Sequence, residues 1–195
     1  MTLADTIDFF PPEEWQTDGF TLRSWRPGDG PAIFQAVDSS RHHLRVFMPW
    51  VDKHATLADS EHYVRGARAA YLKAEKCDLG VFAPDGRVLG GSGFFARDGW
   101  LAEGKAEIGM WVRADEAGRG LATHILLEML RWGFTDWPFL RLAWRCSGSN
   151  AASARVAEKG GMRLEGVLRA YTVEPDGTRE DTHVYGILRH EWVAR

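Results

Sequence analysis

The sequence predicts a mixed α/β fold in a single domain, and three features support this. Segments with strand periodicity outnumber helical ones, and a hairpin turn such as Pro84-Asp85-Gly86 joins two of them. One strand runs through two glycines directly into a helix. The length of 195 residues, with 45% hydrophobic and 26% charged residues, is typical of one globular domain.

Composition excludes several classes of protein. A net charge of −3 argues against a nucleic-acid-binding protein, which would normally be basic. No apolar run approaches the ~18 residues of a membrane span, and the acidic start MTLADTIDFFPPEEW is not a signal peptide. Cys77 and Cys146 are too isolated for a disulfide or zinc framework. We therefore expect a cytoplasmic protein with two buried thiols, no metal site and no membrane or nucleic-acid partner.

The first half of the chain is predicted to contain an arm, strands and helices. A Thr-x-x-Asp pattern marks one helix start, because it matches a capping box. The predicted elements are an irregular arm over 1–18, a strand at Phe20–Trp25, a helix from Pro27 to about Val37, a helix from Thr56, and strands at Asp78–Ala83 and Val88–Phe95.

The second half continues with strands and helices in alternation. Asn150 is a suitable N-cap residue, and Gly160-Gly161 a suitable helix end. The predicted elements are a strand at 106–113, a helix to about Phe134, a strand at Phe139–Trp144, a helix from Asn150, and strands at about 163–173 and 181–192. The order β-α-α-β-β-β-α-β-α-β-β is not a regular βαβ repeat.

The segment 106–123 is the most informative part of the chain. Apolar and other residues alternate from Ala106 to Val112, which is strand periodicity, and Gly118 and Gly120 precede a helix. Such glycines let the backbone approach a ligand while the unpaired N–H groups of the helix start point at it. The segment therefore predicts a phosphate or pyrophosphate site. It is not a Rossmann fingerprint, because Thr123 stands at the third glycine position, nor a Walker A loop.

Four segments, in order and at this spacing, resemble the RimJ/RimL branch of the GNAT superfamily of acetyl-CoA-dependent N-acetyltransferases. They are Ala-Glu-Ile-Gly-Met-Trp at 106–111, Gly118-Arg-Gly-Leu-Ala-Thr123, Asn150-Ala-Ala-Ser153 with Gly161-Met-Arg-Leu-Glu-Gly166, and His43-Leu-Arg-Val-Phe-Met-Pro-Trp50. The resemblance covers about Phe20 to Trp192. It implies a GNAT fold, a mostly antiparallel sheet with splayed central strands flanked by helices, and a homodimer.

The resemblance also implies a binding site for acetyl-CoA as cosubstrate. The loop and helix start would wrap the pyrophosphate, and the pantetheine arm would add as a strand beside the main chain of the preceding strand. A backbone N–H near Met110–Val112 would polarise the thioester carbonyl. The residues implied are Trp111, Val112, Arg113, Gly118, Arg119, Gly120, Leu121, Ala122, Thr123 and Asn150. Asn150 is equally suited to be a helix cap only.

The implied chemistry is direct attack of an amine on acetyl-CoA. Ser153 would protonate the leaving thiolate, although a serine this early in a helix often only bonds the backbone. Glu107 is the candidate base, directly or through water, and His183 is a second one. Phe47 and Trp50 either belong to the core or line the acceptor pocket.

Two residues depart from the family pattern, and they affect the implied cofactor site and the implied base. Ala117 replaces the Gln or Arg that usually begins the loop, so we expect weaker CoA affinity, with Arg119 supplying charge. Thr172 stands where RimL-type enzymes carry a glutamate proposed as general base, and threonine is no base near neutral pH. The N-terminal α-amine of a protein is therefore the favoured acceptor. A small amine such as an antibiotic or polyamine, and a non-catalytic acyl-CoA-binding module, are the alternatives.

Overall fold

The computed structural model describes residues 9–97, 99–173 and 177–192. Within them the chain forms eight strands and four α-helices. The strands are β1 Glu14–Gln16, β2 Thr21–Ser24, β3 Cys77–Phe82, β4 Val88–Phe95, β5 Lys105–Val112, β6 Arg141–Ser147, β7 Arg163–Val173 and β8 Arg179–Leu188. The helices are α1 Gly30–Arg45, α2 Leu57–Leu72, α3 Leu121–Thr135 and α4 Ala151–Lys159.

The chain divides into two compact units. The N-terminal unit comprises Pro11–Phe94 and Met110–Leu121, and the C-terminal unit contains Phe95–Gly109 and Ala122 onward. In the N-terminal unit the strands β1, β2, β3 and β4 lie in that order in the sheet, and each pairs antiparallel with the next. The end of β5 comes after β4 in the same order. In the C-terminal unit the order is β5-β6-β8-β7, in which only β5 and β6 are parallel.

The ladder between β5 and β6 is short. It holds three residue pairs and ends at Glu107 opposite Ala143, although β5 continues to Val112 and β6 to Ser147. The predicted α/β fold, with a mostly antiparallel sheet and splayed central strands, is therefore confirmed. That residues 1–195 form one domain stays a prediction.

The N-terminal unit packs its two helices on a shared apolar cluster. Its members are Trp25, Ile33, Ala36, Val37, Leu44, Val51, Val64, Ala67, Phe82, Val88 and Trp111. The predicted capping box is present: the Asp59 N–H donates to Thr56 Oγ1, and the Thr56 N–H donates to Asp59 Oδ2. These two bonds fix the start of α2, because they satisfy donors that the first helical turn leaves unpaired.

The C-terminal unit buries one face of α3 and one face of β6. Leu126, Met129, Leu130 and Phe134 of α3 are all buried. Trp132 and Trp137 are fully buried in the same unit, and their rings meet edge to face with centroids 5.8 Å apart. Tryptophan therefore fills the core of this unit.

Several predicted boundaries were wrong. The arm over 1–18 contains β1, because Trp15 pairs with Leu22 of β2; residues 1–8 of the arm lie outside the described residues. Helix α1 extends to Arg45 rather than about Val37, since buried Ser40 and Leu44 continue its apolar face. Strand β6 begins and ends later than predicted, and β8 begins and ends earlier.

Replacing Thr56 tests whether the capping box stabilises the start of α2. We expect Thr56→Ala to lower the free energy of unfolding by about 1 kcal/mol, because it removes the acceptor for the Asp59 N–H. The measurement is urea denaturation followed by circular dichroism. Thr135→Ala, at the exposed end of α3, is the matched control and should stay within about 0.5 kcal/mol of wild type. Equal effects of the two substitutions would contradict the assignment.

Candidate active site

The predicted phosphate loop lies in the N-terminal unit, between the end of β5 and the start of α3. Gly118 and Gly120 have φ of +75° and +88°, which L side chains rarely adopt. A Cβ built on either glycine meets no described atom within 4 Å. These glycines are therefore required by backbone conformation, and the space in front of them is open to a ligand.

Ion pairs fix the other end of this loop. Arg113 makes a two-point contact with Asp115 at 2.9 Å and 2.9 Å, which raises the pKa of the arginine and lowers the pKa of the aspartate. Arg87 bonds Glu116 at 2.8 Å, and the Ala114 N–H donates to Ser40 Oγ at 3.0 Å. These contacts hold the backbone of residues 113–116 in place between the end of β5 and the glycines.

Arg119 is the exposed cation of the loop. Its side chain is 70% exposed and lies 3.9 Å from Glu116, a distance at which an exposed ion pair contributes little. The same carboxylate bonds Arg87 much more closely, at 2.8 Å. Arg119 can therefore leave Glu116 and contact an anion in front of Gly118 and Gly120 at a small cost in free energy.

Trp111 and Val112, predicted to bind the cofactor, precede the loop on β5. The Trp111 ring is buried and packs edge to face on Trp50, with centroids 5.8 Å apart. A Cβ on Gly91 would lie 2.4 Å from Trp111 Nε1, so the glycine makes room for this ring. Only the main chain of Trp111 is left for a cofactor. Trp50 is half-buried beside it, whereas Phe47 is exposed.

The start of α4 lies in the C-terminal unit and brings Asn150 and Ser153 together. Asn150 Oδ1 accepts from the Ser153 N–H at 3.0 Å, which confirms the predicted N-cap. Ser153 Oγ accepts from Trp144 Nε1–H at 3.0 Å. The Ser153 hydroxyl is therefore held by β6 and can still donate its own proton.

Cys146 belongs to the same cluster. It is buried, as is Cys77, and this confirms the prediction of two buried thiols. Burial raises the pKa of Cys146, and a hydrogen bond with the Ser153 hydroxyl partly opposes that rise. His183 stands opposite Cys146 in the β6–β8 ladder. It is half-buried, with its ring 6.5 Å from Tyr185.

Glu107, the predicted base, is a buried carboxylate between two arginines. Its Oε2 lies 2.8 Å from Arg97 Nε and 3.5 Å from Arg145 Nε. Protonating Glu107 would weaken both ion pairs, and a guanidinium cannot accept a hydrogen bond in exchange. The two arginines stabilise the charged form of this carboxylate, and the base role stays a prediction.

Thr172 lies on β7, and its neighbours were not foreseen from the sequence. Its hydroxyl bonds the Thr182 hydroxyl on β8, and its partner across the ladder is Glu180. Glu180 in turn accepts hydrogen bonds from Ser147 and Ser149, in the turn that leads to α4. No pattern in the sequence marks Glu180, because only the β7–β8 register brings it there.

Comparisons with known proteins show the family and the fold of this chain. Residues 20–163 match the family model described as acetyltransferase (GNAT) domain. The chain belongs to the GNAT family of acetyl-CoA-dependent N-acetyltransferases. YoaA of Bacillus subtilis strain 168, an uncharacterised N-acetyltransferase, is 28% identical over 177 residues, covering 89% of this acetyltransferase and 96% of that protein.

Solved structures of the RimJ/RimL type share the fold. Mycobacterium smegmatis RimJ in complex with CoA-disulfide is 26% identical, with a TM-score of 0.80 over 93% of this acetyltransferase and 90% of that chain. RimL in complex with coenzyme A, at 19% identity, has a TM-score of 0.83 over 92% and 100% of the two chains. In the part of this chain that the structure describes, no helix has the length and hydropathy needed to cross a bilayer.

Proposed function

We propose that this acetyltransferase moves the acetyl group of acetyl-CoA to the N-terminal α-amine of a protein or peptide. The observation that carries the proposal is the glycine loop at the start of α3, with two left-handed glycines facing open space. Backbone N–H groups at such a helix start suit the CoA pyrophosphate, with Arg119 as the cation in place of the residue missing at Ala117. In this proposal Leu121, Ala122 and Thr123 supply the helix-start donors.

The thioester would be activated by main-chain and side-chain donors. The main chain of Trp111, Val112 and Arg113 would bind pantetheine and polarise the carbonyl, because β5 has left its ladder with β6 by that point. Asn150 would contact the pantetheine arm, and Ser153 would give its proton to the leaving thiolate. The bond from Trp144 supports this role, since it orients the Ser153 oxygen.

The acceptor is argued from amine chemistry. An amine must be neutral to attack, and at pH 7.5 roughly a quarter of an α-amine is neutral, against about 0.1% of a lysine. RimL, which shares this fold, is a ribosomal L7/L12 alpha-N-protein acetyltransferase. Both considerations favour an α-amine over a lysine side chain. Phe47, Trp50, Thr172 and His183 are the proposed acceptor-site residues. The homodimer and the cytoplasmic location likewise stay proposals.

Cofactor binding gives the first test. At a CoA concentration 100 times the dissociation constant, we expect a gain of about 2.7 kcal/mol in the free energy of unfolding. Gly120→Asp should abolish that gain, since it places a side chain and a negative charge in front of the phosphate. Gly86→Asp is the matched control: it has a φ of +85° and equal open space, but lies in the β3–β4 hairpin. An unchanged melting temperature of wild type in saturating CoA would contradict the proposed site.

Ser153 gives the second test. We expect Ser153→Ala to lower kcat by roughly 10²-fold while the dissociation constant of CoA stays nearly constant, as for loss of a general acid. Ser153→Thr keeps a hydroxyl and should retain most of the rate. Equal loss of CoA binding and of kcat would instead make Ser153 a structural residue.

The acceptor preference is the third test and decides the proposed function. We expect a peptide with a free N-terminus to be acetylated more efficiently at pH 7.5 than one whose only amine is a lysine, by up to about two hundredfold in kcat/KM. The measurement is release of the CoA thiol. A faster lysine peptide would contradict the proposed acceptor. Turnover of small amines alone would favour the antibiotic or polyamine alternative, and no turnover at all would favour a CoA-binding module.

A further inference from the structure

The pairing of β7 with β8 places a carboxylate opposite Thr172. Leu168 pairs with Thr182 and Thr172 with Glu180, so β7 advances four residues while β8 advances two. The additional residues form a bulge around Ala170, which has a φ of +50°. Because residues that pair across a ladder project on the same face, Thr172 and Glu180 share one face of the sheet.

Side chains of β8 hold this bulge in place. The Ala170 N–H donates to Asp181 Oδ1 at 2.8 Å, and Arg179 Nη1–H donates to the Ala170 carbonyl at 3.0 Å. A left-handed conformation is unfavourable for alanine, and persists where the surroundings fix it. The register that brings Glu180 to Thr172 is therefore fixed by the residues on either side of Glu180.

Glu180 is joined to the turn that leads into α4. Its Oε2 accepts from the Ser147 hydroxyl, from the Ser149 hydroxyl at 2.6 Å and from the Ser149 N–H at 3.4 Å. The Asn150 N–H closes this turn on the Ser147 carbonyl at 2.9 Å. Glu180 is only half-buried, and Ser149 is exposed. The carboxylate is thus partly exposed, and it bonds Ser149, the residue directly before the α4 cap Asn150.

We propose that Glu180 is the general base of this acetyltransferase, in place of the carboxylate missing at Thr172. The inference rests on the proposed function. The amine nitrogen forms a bond to the acetyl carbon, and its proton passes to the Glu180 carboxylate. The C–S bond breaks, its electron pair leaves on the CoA sulfur, and Ser153 protonates that thiolate. Glu180 then releases its proton to solvent, and Ser153 takes one back from solvent. Thr172, bonded to Thr182, fills the space beside the carboxylate.

The donors of Glu180 suit a base better than those of Glu107. A serine hydroxyl can donate to a carboxylate and can also accept from a protonated carboxyl, so Ser147 and Ser149 can serve both protonation states. The arginines on Glu107 cannot. Among the described residues near Glu180, Arg179 and Asp181 bond Ala170, and Arg145, two residues before Ser147 on β6, lies 3.5 Å from Glu107.

The test is Glu180→Gln, which keeps an oxygen for the serine donors but cannot take a proton. With an N-terminal peptide that wild type acetylates, we expect kcat/KM at pH 7 to fall by roughly 10²- to 10³-fold. In both enzymes kcat/KM should rise about tenfold per pH unit below the pKa of the peptide amine, because only neutral amine reacts, and the variant should stay below wild type throughout this range. The shift in melting temperature on adding CoA should match wild type.

Two further variants distinguish a catalytic role of Glu180 from a structural role in which it only stabilises the turn before α4. Glu75→Gln, the same change at an exposed carboxylate that the proposal does not use, should leave kcat/KM of wild type unchanged. Thr172→Glu in the Glu180→Gln background returns a carboxylate to the same face and should restore part of the rate below the pKa of the amine. A purely structural glutamate would give no such restoration of rate.

The outcomes distinguish this inference from the function on which it rests. If wild type is active and Glu180→Gln retains kcat/KM within about threefold, Glu180 is not the base, and the acetyltransferase proposal stands. If Glu180→Gln loses the rise in melting temperature on adding CoA as well as kcat/KM, Glu180 stabilises the turn before α4 and the inference is overturned. If wild type itself releases no CoA thiol with α-amine peptides, the proposed acceptor fails first.

Discussion

Strand β6 is hydrogen-bonded on both edges, to β5 and to β8, and the candidate groups of the C-terminal unit take their positions from it. On one face, Trp144 and Cys146 contact the hydroxyl of Ser153 at the start of α4. At the end of the strand, Ser147 meets Glu180 of β8. The candidate acid Ser153 and the candidate base Glu180 are thus both bonded to residues of β6. The two ladders fix the position of that strand.

The proposed phosphate loop follows a different principle, since backbone conformation rather than side-chain packing defines it. Ion pairs of Arg87 and Arg113 with acidic residues hold its first turn, and the glycines after Ala117 leave the backbone uncovered. A side chain is not needed for phosphate binding where N–H groups at a helix start supply the donors. In the proposed site, Ala117 therefore need not contribute a side chain to phosphate binding.

Two carboxylates in the C-terminal unit illustrate how surroundings decide a role. Glu107 and Glu180 are the same residue type on strands of one sheet, yet one lies between guanidinium groups and the other among hydroxyls. Guanidinium groups stabilise only the charged form, whereas hydroxyls can reverse their hydrogen bonds when a proton arrives. The missing glutamate at Thr172 therefore does not imply the absence of a base.

The sequence by itself determined the local features. Alternation predicted β5, Gly118 and Gly120 predicted a turn with exposed backbone, and Thr56 and Asn150 predicted helix starts, because each depends on neighbours a few residues away. Tertiary structure alone decided that Glu107 is enclosed by Arg97 and Arg145, and that Glu180 faces Thr172. Both depend on the register between strands distant in the chain, and the register of β7 depends on a bulge at an alanine, a residue that gives no sign of a left-handed conformation in the sequence.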